Sequence, residues 1–394
     1  MSEQIQVAPG APVTRPPLVS RPLALLFVST FCATTSFHLL FSVVPLYAAS
    51  GGAGDGGSGV AAGLATGALM LSTVAAELVS PRLINRYGHR ADLAFGLVLL
   101  GVPALALPLS AGMPMVLTVS LVRGLGFGVM VVVSGALVAA LVPAERRAEG
   151  LGVSGIVVGV PAVLALPLGV WLAGHVGYTP VFVAGTVAAL VALAPLLGLP
   201  GLPGRRSGGE AREEGFGMLA GLRSPVLVRM SVLFGTSAMG AGIVVTFLPT
   251  AVGDVAAAAL LVQAATATLA RWWAGRFGDR HGSRRLLVPG LLISGAGMAG
   301  LVATDSPALT VAAMALFGVG FGVMQNASLA VMFEHVPVSG YGTVSAVWNL
   351  AYDGGMGVGG TGFGLVAAQT GYPSAFLLTG VAMVVTLPLI LRRP

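Results

Sequence analysis

Long apolar stretches separated by short polar turns run through almost the whole chain. An α-helix needs about 20 apolar residues to cross the hydrocarbon core of a membrane, and each stretch meets that length. The pattern therefore predicts an all-α polytopic membrane protein with twelve transmembrane helices. The predicted spans are 22–48, 58–80, 91–110, 113–142, 150–173, 179–199, 225–250, 254–274, 286–303, 307–333, 340–368 and 373–391.

The composition supports this class and excludes others. Of the 394 residues, 56% are hydrophobic and 9% are charged, whereas about a quarter of the residues of a soluble domain are charged. This balance excludes a soluble enzyme, a nucleic-acid-binding protein and a disordered chain. The net charge of +6 is the difference between 20 basic residues, all of them arginine, and 14 acidic residues. Together with the abundance of Gly, Ala, Val and Pro, this points to a GC-rich bacterial genome.

The arginines indicate how the helices are oriented. They precede the first span, follow the second, fourth, sixth and eighth spans and close the chain, whereas the turns at the other end carry Asp55, His175, Asp254 and Asp305 and no arginine. Since cytoplasmic loops are enriched in Lys and Arg, we predict a bacterial inner-membrane protein whose N- and C-termini are both cytoplasmic. Residues 1–21 are rich in proline and polar residues and are predicted to form a disordered cytoplasmic tail.

The chain contains an internal repeat with a constant offset of 194 residues. The run Gly124–Met130 matches Gly318–Met324, and the turn Gly177-Tyr178 matches Gly371-Tyr372. Each half holds six helices, so the two halves have the same membrane orientation. The predicted organisation is an N-terminal bundle over 22–199, a cytoplasmic linker over 200–224 and a C-terminal bundle over 225–394.

One motif occurs in both halves and carries a family resemblance. Residues Gly275 to Arg284 resemble the loop motif G-x-L-A-D-R-x-G-R-R of the major facilitator superfamily, whose members are built from two parallel six-helix halves. The first copy, residues 81–90, has Pro81 for the glycine and Asn85 for the aspartate. The residues of the two copies that we expect to take part in conformational change are Asn85, Arg86, Gly88, Arg90, Gly275, Asp279, Arg280, Gly282 and Arg284.

Two further segments resemble the efflux-type branch, which includes sugar and multidrug exporters. Residues Arg123 to Gly126 are similar to the helix-4 motif of proton-coupled exporters, and Ala165 to Gly169 are a degenerate form of the helix-5 antiporter motif. The resemblance implies a central cavity near mid-membrane, lined by helices 1, 4, 7 and 10. It also implies a small-molecule substrate, protons as the coupling ion and no cofactor, and we expect a monomer in the lipid bilayer.

The loop motif also has a direct physical interpretation. Gly88 and Gly282 are expected where the backbone turns between two helices, since glycine accepts positive φ. Asp279 can accept hydrogen bonds that form in one conformation and break in another. Alternatively, the arginines of both copies only anchor the topology.

Two charged residues near mid-span lack a charged counterpart in the other half. Arg123 corresponds to Phe317 and Asp353 to Gly159. Because a charge at this depth is costly and helix packing alone does not require it, we expect both to face a water-filled cavity. Asp353 is a candidate proton carrier, and Arg123 a fixed positive charge that pairs with a carboxylate or anchors substrate. The alternative for both is a static hydrogen-bond network.

Two more titratable groups are candidates for proton coupling. Glu77 corresponds to Arg271, and these opposite charges either form part of an inner gate or extend to the interface. His38 lies beside Thr34, Thr35 and Ser36 on an otherwise apolar helix, and it either carries protons or is a neutral, hydrogen-bonded histidine.

The remaining candidates are polar or aromatic residues at cavity depth. Gln325 and Asn326 either bind a polar substrate or bond between helices, and the residues just before Asp353 either contact substrate or pack. These residues are Trp348, Asn349 and Tyr352.

The sequence contains no pattern for covalent catalysis, nucleotide binding or a metal site, so we expect neither an enzyme nor a metal protein. The energy source must then be a gradient. We predict a secondary transporter that exports a small molecule against proton entry by alternating access. The alternatives are uptake or facilitated diffusion of a small nutrient, or a sensor on the same fold that transports nothing.

Overall fold

A computed structural model describes residues 20–51, 58–110, 112–142, 146–199, 221, 223–337 and 340–391. Nearly all of the predicted tail and linker, together with Asp55 in its turn, lies outside these residues. The described residues form helices joined by short turns and contain no strand. The prediction of an all-α membrane protein is confirmed, since nine of the described helices are long and apolar enough to cross a membrane.

Twelve helical segments, numbered here in chain order, correspond to the predicted spans. They are α1 (Arg21–Ser50), α2 (Ser58–Tyr87), α3 (His89–Leu109), α4 (Met113–Leu141), α5 (Arg147–Val176), α6 (Tyr178–Gly198), α7 (Pro225–Val252), α8 (Val255–His281), α9 (Leu287–Gly300), α10 (Pro307–Glu334), α11 (Tyr341–Thr370) and α12 (Tyr372–Val385). The last parts of α3 and α6 are 3₁₀-helical, over Val102–Leu109 and Ala194–Gly198.

The helix bounds reproduce the sequence repeat. Both ends of α5 lie 194 residues before the ends of α11, and α2 ends 194 residues before α8. Two pairs of glycines with positive φ, Gly88 with Gly282 and Gly177 with Gly371, have the same offset. The repeat is therefore a repeat of structure and not only of composition.

The structure corrects the extent of two helices. We predicted that α2 ends at residue 80 and α8 at 274, but they continue to Tyr87 and His281. The first seven residues of each loop motif are thus helical, because an α-helix satisfies its own backbone and need not end at the membrane surface. The turn follows at Gly88 (φ 80°) and Gly282 (φ 89°), as predicted.

The two halves meet along two pairs of helices, α2 with α11 and α5 with α8. Glycines bring α2 and α11 together at the end of the bundle where α2 begins: a methyl group on Gly63 would clash with the carbonyl of Gly360, and one on Gly67 with the side chain of Thr361. The Thr66 and Thr246 hydroxyls hydrogen-bond across the halves at 2.8 Å. This end of the interface, opposite the loop motifs, is therefore tightly closed.

Toward the loop motifs the packing of the same two helices becomes looser. Gly357 still lies against Met70, but a methyl group on Gly354, almost one turn nearer the motifs, would meet no atom within 4 Å. The end at which Arg82, Arg86, Arg280 and Arg284 lie is called the arginine-rich face below. There is therefore open space beside α11 on the side of Gly357 that leads to this face.

Candidate functional site

A pair of carboxyl groups joins the two halves where the packing of α2 on α11 becomes looser. The side chain of Glu77 on α2 hydrogen-bonds that of Asp353 on α11. Asp353 is 6% exposed, and Glu77 is half-buried. Since an ionised carboxylate only accepts hydrogen bonds, a hydrogen bond between these two carboxyl groups requires a proton on one of them.

Both residues were predicted from the sequence as separate candidates and not as a pair. Glu77 was compared with Arg271, its counterpart in the repeat, whereas the contact joins non-equivalent positions. The pseudo-symmetric contact would be Arg271 of α8 with Gly159 of α5. A methyl group added at Gly159 would meet nothing within 4 Å, so the second interface has open space where the first has a carboxyl group.

Arg271 on α8 is linked to the carboxyl pair through a tyrosine. Its side chain is exposed, and it is close enough to the Tyr352 phenol on α11 to interact electrostatically. Tyr352 directly precedes Asp353 and also interacts with its carboxyl group. The Tyr352 phenol is thus within electrostatic range of both a guanidinium and a member of the carboxyl pair.

Aromatic packing fixes the position of Tyr352. Its ring is parallel to those of Phe234 and Trp348, each 5.8 Å away between centroids. Trp348 stacks on Phe234 at 4.3 Å and donates from Nε1 to Ser328 Oγ at 3.1 Å. Trp348 is 9% exposed, so its ring is used in packing, while half-buried Tyr352 forms the edge of this cluster.

Arg123 lies apart from the carboxyl pair, inside the N-terminal half. It is 1% exposed, and its Nε donates to the carbonyl of Leu100 on α3 at 3.0 Å. One terminal nitrogen of its guanidinium is buried without a hydrogen-bond partner among the described residues. This geometry matches the alternative of a structural hydrogen-bond network, and the expected role as a substrate anchor stays a prediction.

The repeat explains why α3 needs this arginine. Pro103 has no N–H, and it lies in the first turn of the 3₁₀-helix Val102–Leu109, so nearby carbonyls lose their helical donors. Arg123 bonds the carbonyl of Leu100, and Thr186 Oγ1 bonds that of Gly101 at 2.9 Å. The counterparts of Pro103, Arg123 and Thr186 in the other half are Gly297, Phe317 and Gly380. There α9 stays α-helical to Gly300 and needs no donors.

The other polar candidates lie around the interior without joining the pair. His38 is half-buried on α1, with Nδ1 2.8 Å from the Thr34 carbonyl and its ring edge-on to Phe37. Gln325, Asn326 and Asn349 are half-buried. A methyl group on Gly275 of α8 would lie 3.3 Å from Asn326 Nδ2, which places Asn326 one turn from Arg271.

The candidate loop residues lie on the arginine-rich face, where most of them are exposed. The exposed members are Asn85, Arg86, Arg90, Asp279, Arg280, Gly282 and Arg284, and the half-buried ones are Gly88 and Gly275. The anchoring and latching interpretations both fit this placement.

One buried acid beside the first loop was not predicted from the sequence. Asp92, in the first turn of α3, is 3% exposed, and one carboxyl oxygen has no hydrogen-bond partner among the described residues. Its counterpart is Leu286, so the comparison of the halves that singled out Arg123 and Asp353 also marks Asp92. The described residues contain no group of three or more His, Cys, Asp or Glu arranged to hold a metal ion.

The fold is shared by solved transporters of several kinds. A nucleoside transporter, NupG, matches with a TM-score of 0.69 at 13% identity, covering 95% of this chain and 100% of that one. A POT family transporter in complex with 5-aminolevulinic acid matches with a TM-score of 0.74 at 14% identity, over 94% and 95% of the two chains. A bacterial homologue of the human lysosomal transporter Spinster, inward-facing and unoccupied, gives 0.73 at 16%, over 94% and 95%.

The sequence itself matches the family model of the Major Facilitator Superfamily twice, over residues 26–261 and 249–394. The two matches together cover both halves of the repeat. The chain is a membrane transporter rather than an enzyme, and it belongs to the major facilitator superfamily.

Proposed function

We propose that this protein is a proton-coupled secondary transporter in which Glu77 and Asp353 together carry the proton. The observation that supports this proposal is the hydrogen bond between the two carboxyl groups across the halves. When the pair loses its proton, two negative charges face each other at short distance in a poorly solvated site and repel. Protonation therefore favours contact of α2 with α11 at this level, and ionisation favours their separation.

A change in the charge of the carboxyl pair acts directly on the contact between the two halves. The halves are closed by glycine packing at the far end and pack more loosely near Gly354, toward the arginine-rich face. Half-buried Glu77 gives the proton a route to that face. A proton that binds or leaves here acts on the helices that must rearrange for alternating access.

For direction, we propose export driven by proton entry, which makes the protein an antiporter of the efflux-type branch. The support is the resemblance of Arg123 to Gly126 to the helix-4 motif of proton-coupled exporters. We place the transporter in the bacterial inner membrane as a monomer, with the arginine-rich face and both termini in the cytoplasm, because arginine-rich loops stay on that side.

Reconstitution into liposomes tests proton coupling even while the cargo is unidentified. Vesicles with an acidic lumen are incubated with a defined mixture of polar metabolites, and their contents are measured by mass spectrometry. An antiporter accumulates its cargo inside as protons leave, and a protonophore abolishes accumulation. A cargo that accumulates only when the lumen is alkaline indicates proton symport and contradicts the export proposal.

Amide variants test the pair itself. Asp353→Asn and Glu77→Gln keep a hydrogen bond across the halves but cannot release the shared proton, so each should lose gradient-driven accumulation. Asp305→Asn, on the exposed turn before α10, is the matched control and should transport normally. Gradient-driven transport that persists in both pair variants would overturn the proposal, and no transport of any compound by the parent would favour a sensor.

A further inference from the structure

Arg271, near the carboxyl pair through Tyr352, carries a positive charge that no described carboxylate neutralises. Arg271 is exposed on α8, and no carboxylate is paired with it within the described ranges. A guanidinium at membrane depth is costly to maintain without a partner. Its repeat counterpart is Glu77, so one interface between the halves is acidic and the other is basic.

Arg271 lies at the edge of the packed face of α8. Residues 267, 274 and 278, on one side of it along the helix surface, are buried, whereas Thr268 on the other side is exposed; Gly275, one turn on, lies beside Asn326. Arg276, by contrast, stacks on exposed Trp272 with its guanidinium carbon 3.9 Å from the ring centroid. The side chains of Arg271 and Arg276 therefore have different environments.

Two glycines on the helices that join the halves have open space beside them. Added methyl groups at Gly159 and at Gly354 would meet nothing within 4 Å. Gly159 lies seven residues before buried Leu166 on α5, and Gly354 directly follows Asp353 on α11. Tyr352 interacts electrostatically with both Asp353 and Arg271.

We propose that the cargo is a small zwitterion, whose carboxylate binds Arg271 and whose ammonium binds the Glu77–Asp353 pair. This inference rests on the proposed function, since it uses the same pair. A guanidinium recognises a carboxylate through two parallel hydrogen bonds. The ammonium takes the place of the shared proton, so one proton leaves the pair as one cationic group arrives.

Such competition produces exchange of cargo for protons. A monoanion would bind Arg271 without displacing the proton of the carboxyl pair. A simple amine would bind the carboxyl pair and leave Arg271 unpaired. The other ionisable groups of the interior do not compete: Arg123 is buried against Leu100, and His38 is held by the Thr34 carbonyl. Asp92 lies at the start of α3, on the arginine-rich face.

A series of ω-amino acids tests the proposal by direct binding. The probes are glycine, 3-aminopropionate, 4-aminobutyrate and 5-aminopentanoate, each compared with the carboxylate and the amine of the same chain length. Binding to the full-length protein in detergent is measured by calorimetry in two buffers of different ionisation enthalpy, which also counts released protons. We expect one chain length to bind at least about tenfold more tightly than its singly charged relatives, with release of about one proton.

Two variants assign the ends of the probe. Arg271→Gln should reduce the preference for that amino acid over its amine to less than about twofold, and Asp353→Asn should remove the preference over its carboxylate and the proton release. Arg276→Gln is the matched control on the same helix and should bind like the parent. If every probe binds no better than its singly charged relatives, or if Arg271→Gln keeps the full preference, the proposal is wrong.

The outcome is separable from that of the proposed function. Proton-coupled accumulation of an uncharged or singly charged metabolite in vesicles would refute the zwitterion and leave the proton carrier intact. Zwitterion binding without any proton-driven transport would refute the proton carrier and leave the zwitterion proposal intact.

Discussion

Arg123 donates from Nε to the carbonyl of Leu100 at 3.0 Å, and this bond repairs the backbone of α3 next to Pro103. The other half has neither the proline nor the arginine, because Gly297 and Phe317 take their places. A charge that appears only where a helix is broken has a structural reason to be there. This distinguishes Arg123 from Asp353, whose partner lies in the other half.

The first prediction is that Arg123→Met lowers stability more than transport. The variant keeps the volume but leaves a buried carbonyl without a donor, which costs about 1–3 kcal/mol. Thermal unfolding of the purified protein should shift down, while the transport rate per folded molecule stays within about twofold of the parent, a factor worth less than 1.4 kcal/mol. An unchanged melting temperature with lost transport would instead identify Arg123 as a substrate anchor.

Pro103 provides the internal test of this explanation. Pro103→Ala restores an N–H to the break in α3, so the loss caused by Arg123→Met should be smaller in the double variant. Contacting residues typically show coupling of about 0.5–3 kcal/mol. Additive effects in this double-mutant cycle would mean that Arg123 serves another partner.

The fold could be predicted because it depends on patterns that are visible in a single sequence. Apolar length predicted the helices, and the offset of 194 predicted the repeat of structure. The ends of α2 and α8 were wrong because hydropathy marks where the membrane ends and not where the helix ends. Tyr87 and His281 lie beyond the apolar stretch yet within the helix.

The site was less predictable because its contacts cross between non-equivalent positions. Comparison of the halves paired Glu77 with Arg271, but the structure bonds Glu77 to Asp353. Only the packing of α2 on α11 reveals that partner. Comparison of the halves could also have marked Pro103 and Thr186. Their counterparts Gly297 and Gly380 differ from them as clearly as Phe317 differs from Arg123.

The second prediction concerns the closed end of the interface. Gly63→Val should push α2 away from α11, because even a methyl group there clashes with the Gly360 carbonyl. The halves should then part at the end opposite the arginine-rich face. The test uses a Cys32→Ser background with a single cysteine replacing Thr66. This cysteine should react faster with a water-soluble maleimide in the Gly63→Val variant than in the parent.

Gly155→Val is the control for this experiment, since a side chain at Gly155 meets nothing within 4 Å. That variant should leave the reactivity at position 66 unchanged. Equal labelling in the Gly63→Val variant and its parent would mean that the glycine contact does not hold this end closed.

The third prediction concerns Pro81, which lies four residues after Glu77 inside α2. Proline has no N–H, so the carbonyl of Glu77 lacks its helical donor, and the helix is weakened at the residue that carries the pair. Pro81→Ala supplies that donor. Amide hydrogen exchange over residues 77–85 should slow, and gradient-driven transport should slow with it, because α2 bends less easily.

Pro108→Ala, in the exposed 3₁₀ part of α3, provides the comparison. It should alter exchange only within α3 and leave transport as in the parent. Faster transport by Pro81→Ala, or unchanged exchange around Glu77, would contradict a hinge at this position.

The last prediction follows from the difference between the two loop motifs. Asp279 offers an ionised acceptor to a hydrogen bond, whereas its counterpart Asn85 offers a neutral amide, and an arginine binds a carboxylate more strongly than an amide oxygen. Asp279 is exposed on the arginine-rich face, as expected for a latch that is released. We therefore expect the second motif to supply most of the latch that closes this face.

Asp279→Asn should then shift the balance toward the state that is open at the arginine-rich face, and Asn85→Asp should shift it the other way. A latch worth about 1.4 kcal/mol changes the ratio of the two states tenfold. Spin labels on the ends of α2 and α11 at this face report the ratio through their distance distributions. Asp305→Asn, on the opposite face, should leave the distributions unchanged. If Asp279→Asn also leaves them unchanged, together with the transport rate, the aspartate has no part in the latch and the arginines beside it serve only to anchor the helices.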